Sequence, residues 1–313
     1  MGCGKSLLMT GSAMITAMGA ALSSAAVAAP IEQVLAVPGF ADFLAVDGDA
    51  VWVTNVGRVE RWSRAGKLAE VVLSKPCGTM AIAAGSLWVA DCKDRTLNRI
   101  DLASAKRVAV VRTGLGSPDG ELNVVSGAGS VWVSSARNRI ARVDPGTNRV
   151  IASVKVAPGS YTLAFGFDAV WAVSLVGETI QKIDPNSNRV SRTTKLGRQP
   201  GFLAAGEGGV WVQEQGDGTV ARIDPGTGQV SGRIKVDPTL KYGDIDTGSG
   251  RVWLRTTVGQ TFVVIDPATM SIEARIGKAS GSGALRYTPA GIWTSAHDLH
   301  SLSWWSDVTS ARK

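Results

Sequence analysis

Residues 202–236 read FLAAGEGGVWVQEQGDGTVARIDPGTGQVSGRIKV, and this stretch decides the fold. It holds four short apolar runs, FLAAG, GVWVQE, TVARID and QVSGRIKV. Each alternates apolar with polar positions, favours β-branched residues and is bounded by Gly, Asp or Pro, which predicts strands. The DPGTG segment between the third and fourth runs is a hairpin turn. There Asp224 accepts hydrogen bonds from the amides that follow, Pro225 fixes φ, and a glycine takes the left-handed position.

The same pattern recurs outward in both directions. DAVWV, GSLWV, GSVWV, DAVWA, GGVWV, GRVWL and AGIWT place Trp at 52, 88, 132, 171, 211, 253 and 293, spaced 36 to 44 residues apart. About a dozen residues after each of five of them comes a run of the NRIDLASAKRV or ARVDPGTNRV type, with Asp at 101, 144, 184, 224 and 266. Four strands in each repeat of about 40 residues is the pattern of a β-propeller blade. The expected fold is therefore all-β, a seven-bladed propeller of four-stranded antiparallel blades, forming one domain over 29–313. The last repeat lacks a fourth strand, and Ile31–Val37 resembles one, so the N-terminal strand should close blade seven. Closure removes two open sheet edges. A flat indole at one position per blade fills the wedge between neighbouring sheets. Trp304 and Trp305 lie outside this pattern, and alternation sends one inward and leaves the other to solvent.

The first residues differ in kind. Lys5 precedes an acid-free run of small and apolar residues that ends at Ala26-Val27-Ala28, a small-x-small cleavage pattern. Residues 1–28 are expected to be a cleaved signal peptide, leaving a periplasmic or secreted protein of 285 residues without a membrane span. The full chain has 33 Lys+Arg against 26 Asp+Glu, a formal charge of +7, and cleavage lowers it to +6. The excess is spread along the chain without a basic run, which argues against nucleic-acid binding. Two histidines are too few for a multi-histidine metal cage. The residues suggest a monomer.

Cys77 and Cys92 flank a run with Ala84-Gly85 at its centre. A two-residue turn there sets residue 77 opposite residue 92, within reach of a disulfide in an oxidising compartment.

The repeat GxVWV…TVxRIDPxTGxV resembles the periplasmic YVTN-type and streptogramin (virginiamycin B) lyase-like seven-bladed propellers. The resemblance spans all seven blades and is carried by framework residues. It implies a functional face where first strands begin and second strands end. The lyases use His and Glu with a magnesium ion. Their Trp-x-x-Glu pattern is matched by Trp211-Val212-Gln213-Glu214, so Glu214 is the candidate carried over. Their Pro-His-Gly element has no counterpart, since Pro200, Pro76 and Pro158 are not followed by His.

Other candidates come from the residues themselves. His297 beside Asp298, at the end of a second strand, is a candidate base or ligand contact. DPTLKYGDID departs most from the repeat, which marks Lys241, Tyr242 and Asp244, with Arg255 nearby, as candidate ligand-binding residues. Loop acids, among them Asp91, Asp119, Glu121, Glu214, Asp244 and Asp298, could gather round a Ca²⁺ or Mg²⁺ ion. Two functions follow. One is a binding or interaction module, without a cofactor, that presents its channel mouth to a small molecule or protein. The other is a metal-dependent lyase or lactonase with Glu214 or His297 as base.

Overall fold

The GxVW runs form the second strand of each blade, and these strands are buried on both faces. Ala50–Asn55, Ser86–Asp91, Ala169–Ser174, Gly209–Glu214 and Gly291–Ala296 are buried at every position. Such strands read as continuous apolar runs because each face meets a sheet. The outermost strands alternate instead and expose most of their residues. The computed structural model describes residues 1–2, 30–116, 121–240, 243–255, 261–279, 281–306 and 308. Almost all of the expected signal peptide lies outside the described residues, as do Asp119, Lys241 and Tyr242.

Seven four-stranded antiparallel sheets make up the ring. Six run in simple sequence order from the innermost to the outermost strand. In the seventh, Ile31–Ala36 pairs with Ser301–Ser306 in register Ile31 to Ser306, so the N-terminal strand completes blade seven. The DPGT turns form as their chemistry dictates. Asp144 accepts from the Gly146 amide at 2.8 Å, Asn148 sits at φ 56, and Gly228 sits at φ 71.

The core lies between blades rather than within them. All seven repeat Trp are fully buried. Trp52 packs with Leu87 and Val89 of blade two, Trp88 with Val131 and Val133 of blade three, and Trp293 with Val51 and Val53 of blade one. Truncating one such Trp to Ala should cost about 3–5 kcal/mol, since no neighbour can fill the wedge. Trp304 and Trp305 are both buried, contrary to the expectation that alternation would leave one in water. Trp304 tilts against Trp293 at 5.1 Å, while Trp305 meets Phe262 edge-on at 5.3 Å. Both faces of this blade are covered by neighbouring blades, so both directions lead inward.

A second repeated contact joins the blades. The third-strand residue opposite the Trp is cationic in blades two to five: Arg99, Arg142, Lys182 and Arg222. Each lies 4.8–5.5 Å over its own blade's indole. Each also donates to the carbonyl of Pro145, Pro185, Pro225 or Pro267 in the turn of the next blade. Val264 and Trp304 hold the equivalent place in blades six and seven, and Arg61 of blade one pairs with Asp47 at 2.6 Å.

Cys77 and Cys92 form a disulfide with 5.9 Å between Cα atoms. The turn at Ala84-Gly85 holds its register from Ala83↔Ser86 to Ala81↔Trp88. Beyond it the ladder slips by two residues: Pro76 bridges Asp91, and the Cys77 amide donates to Ala90 O at 3.1 Å. The cysteines therefore meet diagonally rather than directly opposite. The slip occurs at Gly78, φ +74, where a Cβ would collide with the Leu122 backbone of blade three.

Candidate functional site

In blades one to five the second strand ends three residues after its Trp, and the side chain there fastens a lead-in loop. Asn55 Oδ1 accepts from the Phe40 amide at 2.6 Å, and the Asp91 carboxylate accepts from the amides of Ser74 at 2.7 Å and Lys75 at 3.1 Å. Ser135 and Ser174 donate to Thr113 O and Pro158 O at 2.7 and 2.6 Å. Glu214 holds this position in blade five.

Its carboxylate accepts from the Gly197 amide at 2.7 Å, from Thr219 Oγ1 at 2.6 Å and from Arg233 at 2.8 Å. Burial alone would raise its pKa. The bonds from Arg233, Thr219 and Gly197 outweigh burial and hold it below the ordinary carboxylate value. Glu214 is thus a fully buried strut tying three segments of blade five. It does not line the cavity described next.

The clamped loops surround a cavity of about 810 Å³ at the end of the ring where first strands begin and second strands end. Its walls come mainly from blades one, two, five, six and seven, with Glu121 from blade three. Phe40 stacks on His297, with ring centroids 4.1 Å apart and planes 17° from parallel. Phe43 and Phe202 form a second aromatic contact at 6.2 Å. His297, Asp298 and Asp244 all line this space. Arg255 lies behind it, 1% exposed, donating to Ala284 O at 2.9 Å and Gly281 O at 3.1 Å.

The carboxylates of the lining fall into two groups. Asp244 pairs with Arg286 at 2.5 Å and accepts from the Ile245 amide at 2.8 Å, while Asp298 accepts from the Ser282 amide at 2.8 Å. Asp42 and Glu121 carry no hydrogen bond or ion pair on their carboxylates among the described residues. Burial, then the charges of Glu121 and Asp244, push Asp42 up to about 7 against the pull of Arg255. Burial and Asp244 raise Glu121 as well. Burial pushes His297 down and Asp298 pulls it back, but with Arg255 nearby it stays below the ordinary histidine value. The site is therefore a partly apolar chamber with an excess of carboxylate.

The comparisons with known proteins bear on this face. Virginiamycin B lyase from Staphylococcus aureus superposes with a TM-score of 0.76 at 18% identity, covering 88% of this chain and 99% of that one. A streptogramin B lyase structure gives 0.77 at 15% identity, covering 90% and 99%. The fold is that of the streptogramin B lyases. BamB from Moraxella catarrhalis superposes at 0.65 and 15% identity, covering 86% of this chain and 85% of that one. No protein-family model matches the chain, and no curated protein matches it. At these identities the lyase likeness is one of architecture.

A lyase-like chemistry implies a Mg²⁺ or Ca²⁺ ion. Among the described residues no three His, Cys, Asp or Glu side chains gather as a metal-holding group. Asp91, Glu214 and Asp298 already accept backbone amides, so the described residues do not fit such an ion.

Several lining residues gave no sequence signal. Phe40, Asp42, Phe43 and Phe202 sit in loops or strand starts of ordinary composition, and only ring closure brings them together.

Proposed function

We propose that the protein is a binding module that takes its ligand at the mouth of the central channel. The ligand class that fits is an apolar body carrying a cationic group, a small molecule or a protruding side chain of a protein partner. The observation that carries this reading is the chamber itself. Its volume lies in the range of ligand pockets, its walls include Phe40, Phe43, Phe202 and His297, and Asp42 and Glu121 face it with no counter-ion in contact among the described residues. Carboxylates that the chamber holds above their ordinary pKa favour a cation, because its charge lowers the cost of their ionisation.

The test is calorimetric titration with 2-phenylethylammonium, its neutral alcohol analogue and phenylacetate. Binding of the cation that is weakened by Asp42→Asn and by Phe202→Ala supports the reading. Equal or better binding of the anion overturns the charge assignment, and binding of none of the three overturns the chamber as a site for this class.

A second reading, a lyase or lactonase, rests on the adjacent His297 and Asp298 at the chamber and on the likeness to streptogramin B lyase. It requires a divalent ion and opening of a lactone or cyclic depsipeptide that is abolished by chelation and by His297→Ala. Native mass and metal content of the purified protein separate the two readings. The Cys77–Cys92 disulfide supports an exported, periplasmic or secreted location, and removal of residues 1–28 and a monomeric state are proposed with it. No helix among the described residues is long and apolar enough to cross a membrane.

A further inference from the structure

The outer wall of the ring is not uniform. The fourth strands of blades two, three and four are Lys106–Val111, Arg149–Lys155 and Arg189–Lys195. With Arg112 directly after the first of them, they expose Lys106, Arg107, Arg112, Arg149, Lys155, Arg189, Arg192 and Lys195 and contain no acid. Lys195 pairs with Glu178 at 3.0 Å. The other seven form no ion pair among the described residues. Elsewhere on the wall each outermost strand of blades one, six and seven holds an acid: Glu70, Glu273 and Glu32. In blade five the outward Arg233 is occupied by Glu214.

Large apolar side chains are interleaved with these cations. Val108, Val110, Val150 and Ile151 are 55%, 51%, 41% and 55% exposed. A soluble polyanion would neutralise the arginines and leave these four in water. A bilayer interface accepts both, the cations at the anionic headgroups and the apolar groups below them.

We propose that the outer wall of blades two to four docks the protein side-on against an anionic phospholipid bilayer. Blade three is the centre of the arc, so Val150 and Ile151 enter first. The flanking cations on the curved wall still act, because the field of the surface extends about one Debye length, roughly 10 Å at 0.1 M salt. The channel axis then lies along the membrane plane and the channel mouth stays open, so docking is independent of the ligand site.

The experiment is vesicle co-sedimentation of the purified protein with liposomes of phosphatidylethanolamine and phosphatidylglycerol at 7:3, with phosphatidylcholine liposomes as reference. Expected are binding to the anionic liposomes alone and release by 0.5 M NaCl. Arg107→Gln, Arg149→Gln and Arg192→Gln should each weaken binding by roughly fivefold. The double variant Arg64→Gln with Lys278→Gln, with exposed changes in blade one and beside blade six, should leave it unchanged. All variants share one N-terminus, so the comparison reads the wall and not the first residues. Val150→Ser with Ile151→Ser tests the apolar part and keeps the charge. Far-ultraviolet dichroism confirms that each variant is folded. Binding that follows total charge wherever the change is made overturns the proposal, as does capture by heparin without capture by liposomes.

Discussion

Arg142 of blade three donates a 2.6 Å hydrogen bond to the carbonyl of Pro185 in blade four. The same guanidinium reaches Asn188 Oδ1 at 3.0 Å and covers the Trp132 ring. One side chain thus fixes the indole of its own blade and the turn of the next. The contact follows from register, because Arg142 lies directly opposite Trp132.

Arg142→Ala should destabilise the protein by about 1–2 kcal/mol, the worth of a partly exposed charged hydrogen bond with a cation–π contact. Arg142→Lys should recover most of this, since Lys182 serves the same place in blade four. Denaturant midpoints with an unchanged slope are the measurement. Equal midpoints for wild type and the alanine variant would show that the contact contributes nothing.

Glu214→Ala should behave as a structural lesion. It strips the partner from the Gly197 amide, Thr219 and Arg233, and leaves buried donors unmet. A loss of about 2 kcal/mol is expected, kept modest because Arg233 is half in solvent. Thermal unfolding together with ligand titration separates the possibilities. Lower stability with unaltered affinity for 2-phenylethylammonium fits a strut, whereas lost turnover at full stability would make Glu214 a catalytic residue.

Asp42 should make stability depend on pH. Its folded pKa is raised to about 7 from an ordinary 3.8. Between these values the folded chain keeps a proton that the unfolded chain has released, so stability falls as pH rises through this window. Asp42→Asn should therefore be more stable than wild type at pH 8 by on the order of 2 kcal/mol, and of nearly equal stability at pH 4, as read by denaturant unfolding at each pH. A gap of equal size at both pH values would refute the raised pKa.

The Cys77–Cys92 bond closes a loop with a sequence separation of 15, and Cys77 also lines the chamber. Cys77→Ser with Cys92→Ser should cost about 3 kcal/mol by loop entropy. Hydrogen exchange should show the loss as faster opening of 74–80, where the strand ladder is already broken by its slip. Unchanged protection there would place the stabilisation elsewhere.

Much of this was legible in the residues. Trp211 with Asp224 and Pro225 announced strands and turn, and the likeness of Ile31–Val37 to a fourth strand announced the closure. The diagonal meeting of Cys77 and Cys92 was not legible, because it depends on Gly78 pressing against Leu122 of another blade. Nor was the burial of both Trp304 and Trp305. Alternation gives two directions, and the ring makes both of them interior. Glu214 illustrates the opposite hazard: its Trp-x-x-Glu spacing is also the spacing of the loop clamp shared with Asn55 and Asp91.

By itself the sequence determined the blades, the turns, the order of strands and the disulfide pair. Apart from the closing strand, which is read from its likeness to the other fourth strands, each is a matter of segments close in sequence, where alternation, β-branching and the φ preferences of Pro and Gly act directly. The tertiary structure alone decided the chamber. Ser295 Oγ donates to Asp42 O across 253 residues of chain, and Phe43 meets Phe202 only after five blades have turned. Burial and the field of Glu121 and Asp244, which move Asp42, are sums over groups that the chain brings together only when the ring closes.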